Sequence, residues 1–315
     1  MKFTFHQTLN DMKTLCTALL LLLVSFANAQ TDTLTDQSFN RSYDKSCAFV
    51  SLGTWRSGTG NQPIGMHWRR VASEFDISPE AKTTYLMARK QGQTGLGLAL
   101  GGLSAYLSGT IFLISGLQNT LFTPNNFDTH LGIGLGMYVG AVALSSTSIS
   151  YTKNANNNFE KALWLRNREA IMTDLPATVQ PQFKQVYEQE AIYLYDRSTW
   201  QPYEYIKNGQ PYRLGFLGVA GQNAFQGSVQ GLDSYQKYQR SKLGGVALYT
   251  LGLVAMLSSI SVQKAGNTEG WKLPYFGGAV VASIGGGVLV QSITHLRRAI
   301  YFRNRDVVRQ RLMFQ

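Results

Sequence analysis

Four stretches of the chain carry no Asp, Glu, Lys or Arg: Gly92 to Gln118, Leu131 to Ser150, Leu243 to Val262 and Leu273 to Gln291. Each is about the twenty residues a helix needs to cross a hydrocarbon core. The pattern predicts spans at about 94–117, 131–151, 243–262 and 272–291. Short polar connections join them in pairs. Asn119 to His130 contains Pro124-Asn125-Asn126, and Gln263 to Lys272 contains Gly266-Asn267. Both are turn signals, so each pair reads as an antiparallel helical hairpin.

The four segments hold 19 of the 31 glycines. An interior glycine costs a soluble helix about 1 kcal/mol relative to alanine. In a bilayer small residues are favoured, because they let helix backbones approach. Gly101, Ala105 and Gly109 recur every four residues, as do Gly132, Gly136 and Gly140, and Gly278, Ala282 and Gly286. Residues four apart share a helix face, so these nine positions are predicted to pack helix against helix.

The polar stretches predict strands and helix starts. Tyr203 to Leu214 alternates around Asn208-Gly209, a hairpin signal. Ser78-Pro79-Glu80 puts a capping residue before a proline at the first helical position.

The chain also repeats itself in order. Gly60-Asn61-Gln62-Pro63 resembles Asn208-Gly209-Gln210-Pro211, and Val71-Ala72 recurs as Val219-Ala220, both at offset 148. At offset 150, Gly95, Leu98, Gly102, Leu103 and Ala105 recur as Gly245, Leu248, Gly252, Leu253 and Ala255. At offset 137, Ala162-Leu-Trp-Leu-Arg-Asn-Arg-Glu169 resembles Ala299-Ile-Tyr-Phe-Arg-Asn-Arg-Asp306. A repeat of this length decides the architecture. The predicted fold class is mainly α and membrane-embedded, with two tandem duplicated units, 30–171 and 172–315. Each unit is a short exported β/α region plus a transmembrane helical hairpin. An even number of spans per unit makes the repeat parallel, about an axis along the membrane normal.

The first 29 residues read as a secretory signal peptide. Met12-Lys13 precedes the apolar run Thr17 to Ala27, and Ala27-Asn28-Ala29 ends it. Either Met1 or Met12 serves as the start in this reading. A leader of this style predicts a bacterial cell-envelope protein, in the inner membrane with periplasmic polar regions. The outer membrane is the alternative. Cys16 falls in the leader, which leaves Cys47 alone and excludes a disulfide scaffold.

Composition narrows the picture further. Only 15% of the 315 residues are charged, against about 25% in ordinary soluble chains, and the net charge is +11. With 44% hydrophobic residues, the composition disfavours disorder. A mean hydropathy of -0.11 excludes a chain that is mostly membrane-embedded. The charge gathers near span ends, in Lys82, Arg89, Lys90, Lys153, Lys161, Lys237, Arg240, Lys242, Arg297 and Arg298. The leader puts that side outside the cytoplasm, whereas the positive-inside rule puts it inside.

Catalytic signatures are sparse. His67, His130 and His295 are far apart, no P-loop or nucleophile elbow occurs, and a single mature cysteine cannot make a two-cysteine zinc site. No ionisable group lies inside a span, where ion-coupled transporters need one. No catalytic residue, metal ligand or cofactor is assigned, and no nucleic-acid partner. The strongest functional signal is the repeated Arg-Asn-Arg. Arg166, Arg168, Arg297, Arg298, Arg303 and Arg305, interleaved with Tyr301 and Phe302, predict contact with anionic lipid headgroups or an acidic protein partner. The expected function is a non-enzymatic structural, assembly or interaction role in the bilayer, as a partner-binding protein or homo-oligomer. Two alternatives stand beside it. One is a channel or passive transporter on glycine-faced helices. The other is an exported enzyme acting on lipid or envelope polymer near His67, Glu74 and Asp76.

Overall fold

The computed structural model describes residues 35–58, 60–122, 129–197, 203–215, 218–264, 270 and 272–314. The predicted leader, with Cys16, and the turns at Pro124-Asn125-Asn126 and Gly266-Asn267 lie outside these residues. The described chain is mostly helical with two small sheets. Helix α1 (Asp36–Ser46) leads into strands β1 (Ala48–Ser51), β2 (Thr54–Ser57) and β3 (Gly60–Pro63), then a 3-10 segment, Met66–Phe75. Helices α2 (Pro79–Phe122) and α3 (Thr129–Asp174) follow. The same order then recurs with α4 (Gln180–Glu190), β4 (Ile192–Tyr195), β5 (Glu204–Lys207), β6 (Gln210–Arg213), a 3-10 segment Val219–Phe225, and helices α5 (Val229–Lys264) and α6 (Lys272–Met313).

Each sheet is an antiparallel meander, in the orders β1-β2-β3 and β4-β5-β6. Lys207 pairs with Gln210 around Asn208-Gly209, both at positive φ (+47° and +72°). That conformation, which asparagine and glycine tolerate, matches the strand twist in a two-residue hairpin. The long helices start where the serines cap them. The Ser78 hydroxyl accepts from the Ala81 N–H at 3.1 Å, and Ser228 from Gly231 at 2.9 Å.

Among the described residues, four helices are long and apolar enough to cross a membrane. At 1.5 Å per residue, the 44 residues of α2 extend roughly 66 Å. That is about twice a hydrocarbon core. The predicted spans are therefore portions of continuous helices that run on into the polar head. The helix carrying the first predicted unit boundary, α3, ends at Asp174.

Packing inside each hairpin recurs every seventh residue, not every fourth as the sequence reading expected. In α2 the buried line is Ala81, Ala88, Gly95, Gly102, Gly109 and Gly116. It meets Gly134, Ala141, Ser148 and Ala155 of α3. In α5 the line is Gly245, Gly252 and Ser259, facing Gly278, Ala282, Gly285 and Ser292 of α6. A strict seven-residue repeat keeps one seam facing a partner when two helices wind left-handedly about each other. The seam is tight. A Cβ on Gly252 would lie 2.6 Å from the Gly278 carbonyl oxygen, and one on Gly285 2.9 Å from that of Gly245. The Ser148 hydroxyl donates to the Gly95 carbonyl across the first seam, at 2.7 Å. Of the nine predicted positions, Gly109, Gly278 and Ala282 lie in the seam, and Gly101 touches only Leu144, at 3.7 Å. Ala105 and Gly132 are half-buried. A Cβ on Gly136, Gly140 or Gly286 would meet nothing within 4 Å; Gly136 is exposed, and Gly140 and Gly286 are half-buried outside the seam. The four-residue spacing is real, but it drifts off a seam whose period is 3.5 residues per turn.

Only 11–17% of each apolar window is buried within the chain. The hairpins pack internally and barely touch each other. Burial concentrates in the head, in three clusters. One lies under the first sheet around Trp55, Phe75, Tyr85 and Phe159. One lies under the second around Ile192, Phe225, Tyr235 and Leu296. The third joins them through Phe39, Tyr43, Phe183, Tyr187, Ile171 and Tyr301.

The seam predicts a contrast between neighbouring glycines. Gly252→Ala loses about 1–3 kcal/mol of stability by overpacking, whereas Gly286→Ala is neutral or stabilises by up to about 1 kcal/mol. Thermal unfolding in detergent measures both, and equal effects contradict the seven-residue seam.

Candidate functional site

The two Arg-Asn-Arg segments lie where α3 and α6 enter the head, and they are buried. Arg166, Arg168, Arg303 and Arg305 are only 9, 6, 4 and 9% exposed. This corrects the expectation that they face lipid or a partner. Their partners are within the chain.

Each asparagine clamps a strand. The Asn167 amide nitrogen donates to the Ala48 carbonyl at 2.8 Å, and its oxygen accepts from the Ala48 N–H at 2.9 Å. Asn304 does the same to Ile192, at 2.8 and 2.9 Å. Both β1 and β4 are edge strands, and an unpaired edge buried in a core is costly. The amide supplies the missing ladder pair. The preceding arginine reaches a helix end: Arg166 donates to the Ser46 carbonyl of α1, and Arg303 to the Glu190 carbonyl of α4. A cation suits the last carbonyls of a helix. Burial pulls the Arg303 guanidinium below its ordinary pKa, with Glu190 opposing.

The following arginine crosses between halves. Arg168 pairs with Glu188 of α4 at 2.6 Å, and also with Glu80 and Glu169. Arg305 pairs with Asp44 of α1 at 3.2 Å, and also with Asp306. Burial opposes the charge on Arg305, but Asp306 and Asp44 outweigh it and raise its pKa. Aromatic rings repeat this exchange. Tyr301 stands 5.3 Å from Tyr43 and 5.0 Å from Phe49, while Trp164 stands 5.2 Å from Tyr187 and 5.7 Å from Tyr193. Phe39 and Phe183 meet each other at 6.4 Å. Glu160 of α3 accepts from Arg297 of α6 at 2.7 Å. A cavity of about 40 Å³ sits among Trp164, Asn167, Tyr301 and Asn304. It has room for a few waters and no organic substrate.

The sixth arginine differs. Arg298 is exposed, with its guanidinium 5.4 Å from the Phe302 ring.

The residues named for an enzyme reading each have a partner or neighbour elsewhere in the head. Glu74 pairs with Arg166 at 2.8 Å and Asp76 with Lys82 at 3.0 Å, while His67 lies against Gly92. Among the described residues no group of three or more His, Cys, Asp or Glu could hold a metal ion. Cys47 is fully buried, and burial pushes its thiol well above the ordinary range, which suppresses the thiolate.

Sequence reasoning missed Asp44, Glu188, Ala48 and Ile192. A signal for them existed: Phe39, Tyr43 and Asp44 match Phe183, Tyr187 and Glu188 at offset 144. Comparison with family models, curated proteins and solved structures finds no match.

If the asparagines clamp the strands, Asn167→Ala and Asn304→Ala each destabilise the head by about 2–4 kcal/mol. Each removes two hydrogen bonds and leaves a buried donor and acceptor unpaired. Arg298→Ala stays within about 0.5 kcal/mol, as an exposed site should. Denaturant unfolding followed by tryptophan fluorescence checks this, and a wild-type midpoint for both asparagine variants contradicts it.

Proposed function

We propose that this chain is a non-enzymatic, four-span membrane protein of the bacterial envelope, built from two tandem copies of one unit. Its role is assembly or interaction through its spans. One observation carries the reading. Five of the six arginines that looked like a contact surface are paired inside the head, and Arg168, Arg297 and Arg305, together with Tyr301, join its two halves. What remains open is the hairpin surface. Leu100, Leu107, Ile111, Val139, Val142, Leu251, Leu257 and Val280 are exposed there, and so are Gly97, Gly136, Gly244 and Gly277, on each of which a Cβ would meet nothing within 4 Å. Small residues on an apolar helix face let a further helix approach closely.

The tandem reading is supported by equivalent bonds at equivalent positions: Asn167 to Ala48 and Asn304 to Ile192, Arg166 to Ser46 and Arg303 to Glu190. The leader supports a periplasmic head, held by the inner membrane.

Single cysteines in a background of Cys16→Ser and Cys47→Ala test this. An impermeant thiol reagent, applied to cells with a permeabilised outer membrane, labels Lys184→Cys and Gln310→Cys but not Asn125→Cys or Thr268→Cys. The reverse pattern overturns the sidedness, and labelling of all four overturns the spans. In the same background Gly140→Cys or Gly286→Cys crosslinks in native membranes to a discrete second polypeptide or a second copy. Crosslinking at neither position contradicts an interaction role for the open faces.

A further inference from the structure

On the outer flank of the second half, the start of α5 and the middle of α6 enclose a groove of about 620 Å³. Asp233 and Lys237 line it from α5, and His295, Arg298 and Phe302 from α6. We propose that this groove binds the headgroup of an anionic phospholipid, a proposal that rests on the membrane reading above.

Charge is the first argument. Lys237 donates to Asp233 at 2.7 Å, four residues apart on one helix. Among the described residues Arg298 makes no ion pair, unlike Arg166, Arg168, Arg297, Arg303 and Arg305. Its guanidinium lies 5.4 Å from the Phe302 ring, which steadies it at the groove that both residues line. Arg240 follows one turn after Lys237. The local field is positive on both sides of the groove. The Lys237 hydrogen bond, with the charges of Lys237, Arg298 and Arg240, holds the Asp233 carboxyl below its ordinary range. Burial, Lys237 and Arg298 push the His295 imidazole down, with Asp233 opposing. One carboxylate faces three permanent cations, so an anion is the complementary ligand.

Depth is the second argument. Lys237 lies six residues before the uncharged segment that opens at Leu243, while His295 and Arg298 lie four and seven residues after the one that closes at Gln291. At 1.5 Å per residue these are roughly 6–10 Å beyond the apolar core. Lipid phosphates occupy that layer, since headgroups add about 5–8 Å on each side. A lipid therefore presents its phosphate at the height of the groove, with its chains along the exposed apolar faces of α5 and α6. A free anion from solution gains neither of those contacts.

The first half provides an internal comparison. At offsets of 150 and 137, Lys237, Arg240, His295, Arg298 and Phe302 correspond to Met87, Lys90, Asn158, Lys161 and Leu165. Two cations stand there, without an aromatic platform. The cation-over-aromatic pair belongs to one flank only, which gives a quasi-symmetric molecule one lipid-marked side.

The test is native mass spectrometry of the full chain released from nanodiscs. One set holds phosphatidylcholine alone and the other a mixture with phosphatidylglycerol. The wild type retains phosphatidylglycerol in preference to phosphatidylcholine. The Lys237→Gln/Arg298→Gln double variant loses that preference by about thirtyfold, at roughly fivefold per basic side chain near an anionic surface. Lys161→Gln, on the other flank, keeps it. Equal retention of both lipids overturns the site, as does a double variant that retains phosphatidylglycerol like the wild type. Displacement of the lipid by millimolar inorganic phosphate overturns the lipid as the source of the anion. A chain that enters neither nanodisc overturns the membrane reading itself, and the site with it.

Discussion

The fold depends on satisfying backbone groups at the ends of short elements. Each half of the head offers an eleven-residue helix and a four-residue edge strand, too small to bury alone. Their orphan groups are the last helix carbonyls and one face of the edge strand. A single tripeptide on a long helix answers both. The arginine takes the helix carbonyl and the asparagine takes the strand residue's N–H and C=O. The next arginine then reaches the short helix of the opposite half. Buried cations are expensive unless paired, and here each is paired or hydrogen-bonded. Breaking one partner exposes the cost of the other, so the head behaves as one unit.

This arrangement fixes the spans to the head without a hinge. The helices α3 and α6 carry the clamps and continue unbroken into the apolar windows. Each hairpin is then closed by a glycine seam so tight that a single methyl group meets backbone. In a bilayer there is little hydrophobic drive between helices, so close backbone approach and a few hydrogen bonds such as Ser148 to Gly95 do the holding. The result is two stiff hairpins on one platform, each leaving most of its apolar surface for lipid or another helix. Glu160 and Arg297 stand 137 residues apart, at the offset of the two Arg-Asn-Arg segments, and pair with each other. Two identical halves would put like charges there. The opposite charges fit an arrangement of unlike halves.

Much of the architecture was legible in the sequence, because absence of charge over twenty residues is a coarse signal of the solvent a segment meets. The capping serines and the Asn208-Gly209 turn were legible for local reasons, since their conformational demands involve only neighbours in the chain. The packing period was harder. Gly101, Ala105 and Gly109 and the true seam Gly95, Gly102 and Gly109 share a residue, and in a glycine-rich helix both periods can be drawn. Only the partner helix selects between them. The arginines misled for a different reason. Arg-x-Arg beside aromatics has the look of an exposed contact patch, and the groups that bury it are distant. Asp44 stands 261 residues from Arg305, and Ala48 stands 119 from Asn167. Pair partners at such separations leave no trace in local spacing. Among the six predicted arginines Arg298 alone is exposed, five and seven residues before the buried Arg303 and Arg305 on the same helix.

The central claim is that the clamps make the two halves one cooperative head. Hydrogen exchange by mass spectrometry on the full chain in detergent tests it most directly, in the wild type and Asn304→Ala. The peptides covering residues 46–51 and 190–195 are expected among the slowest to exchange outside the spans. In the variant, protection is expected to fall in both peptides together, although only the second touches residue 304. Loss confined to 190–195, with 46–51 unchanged, would contradict the account.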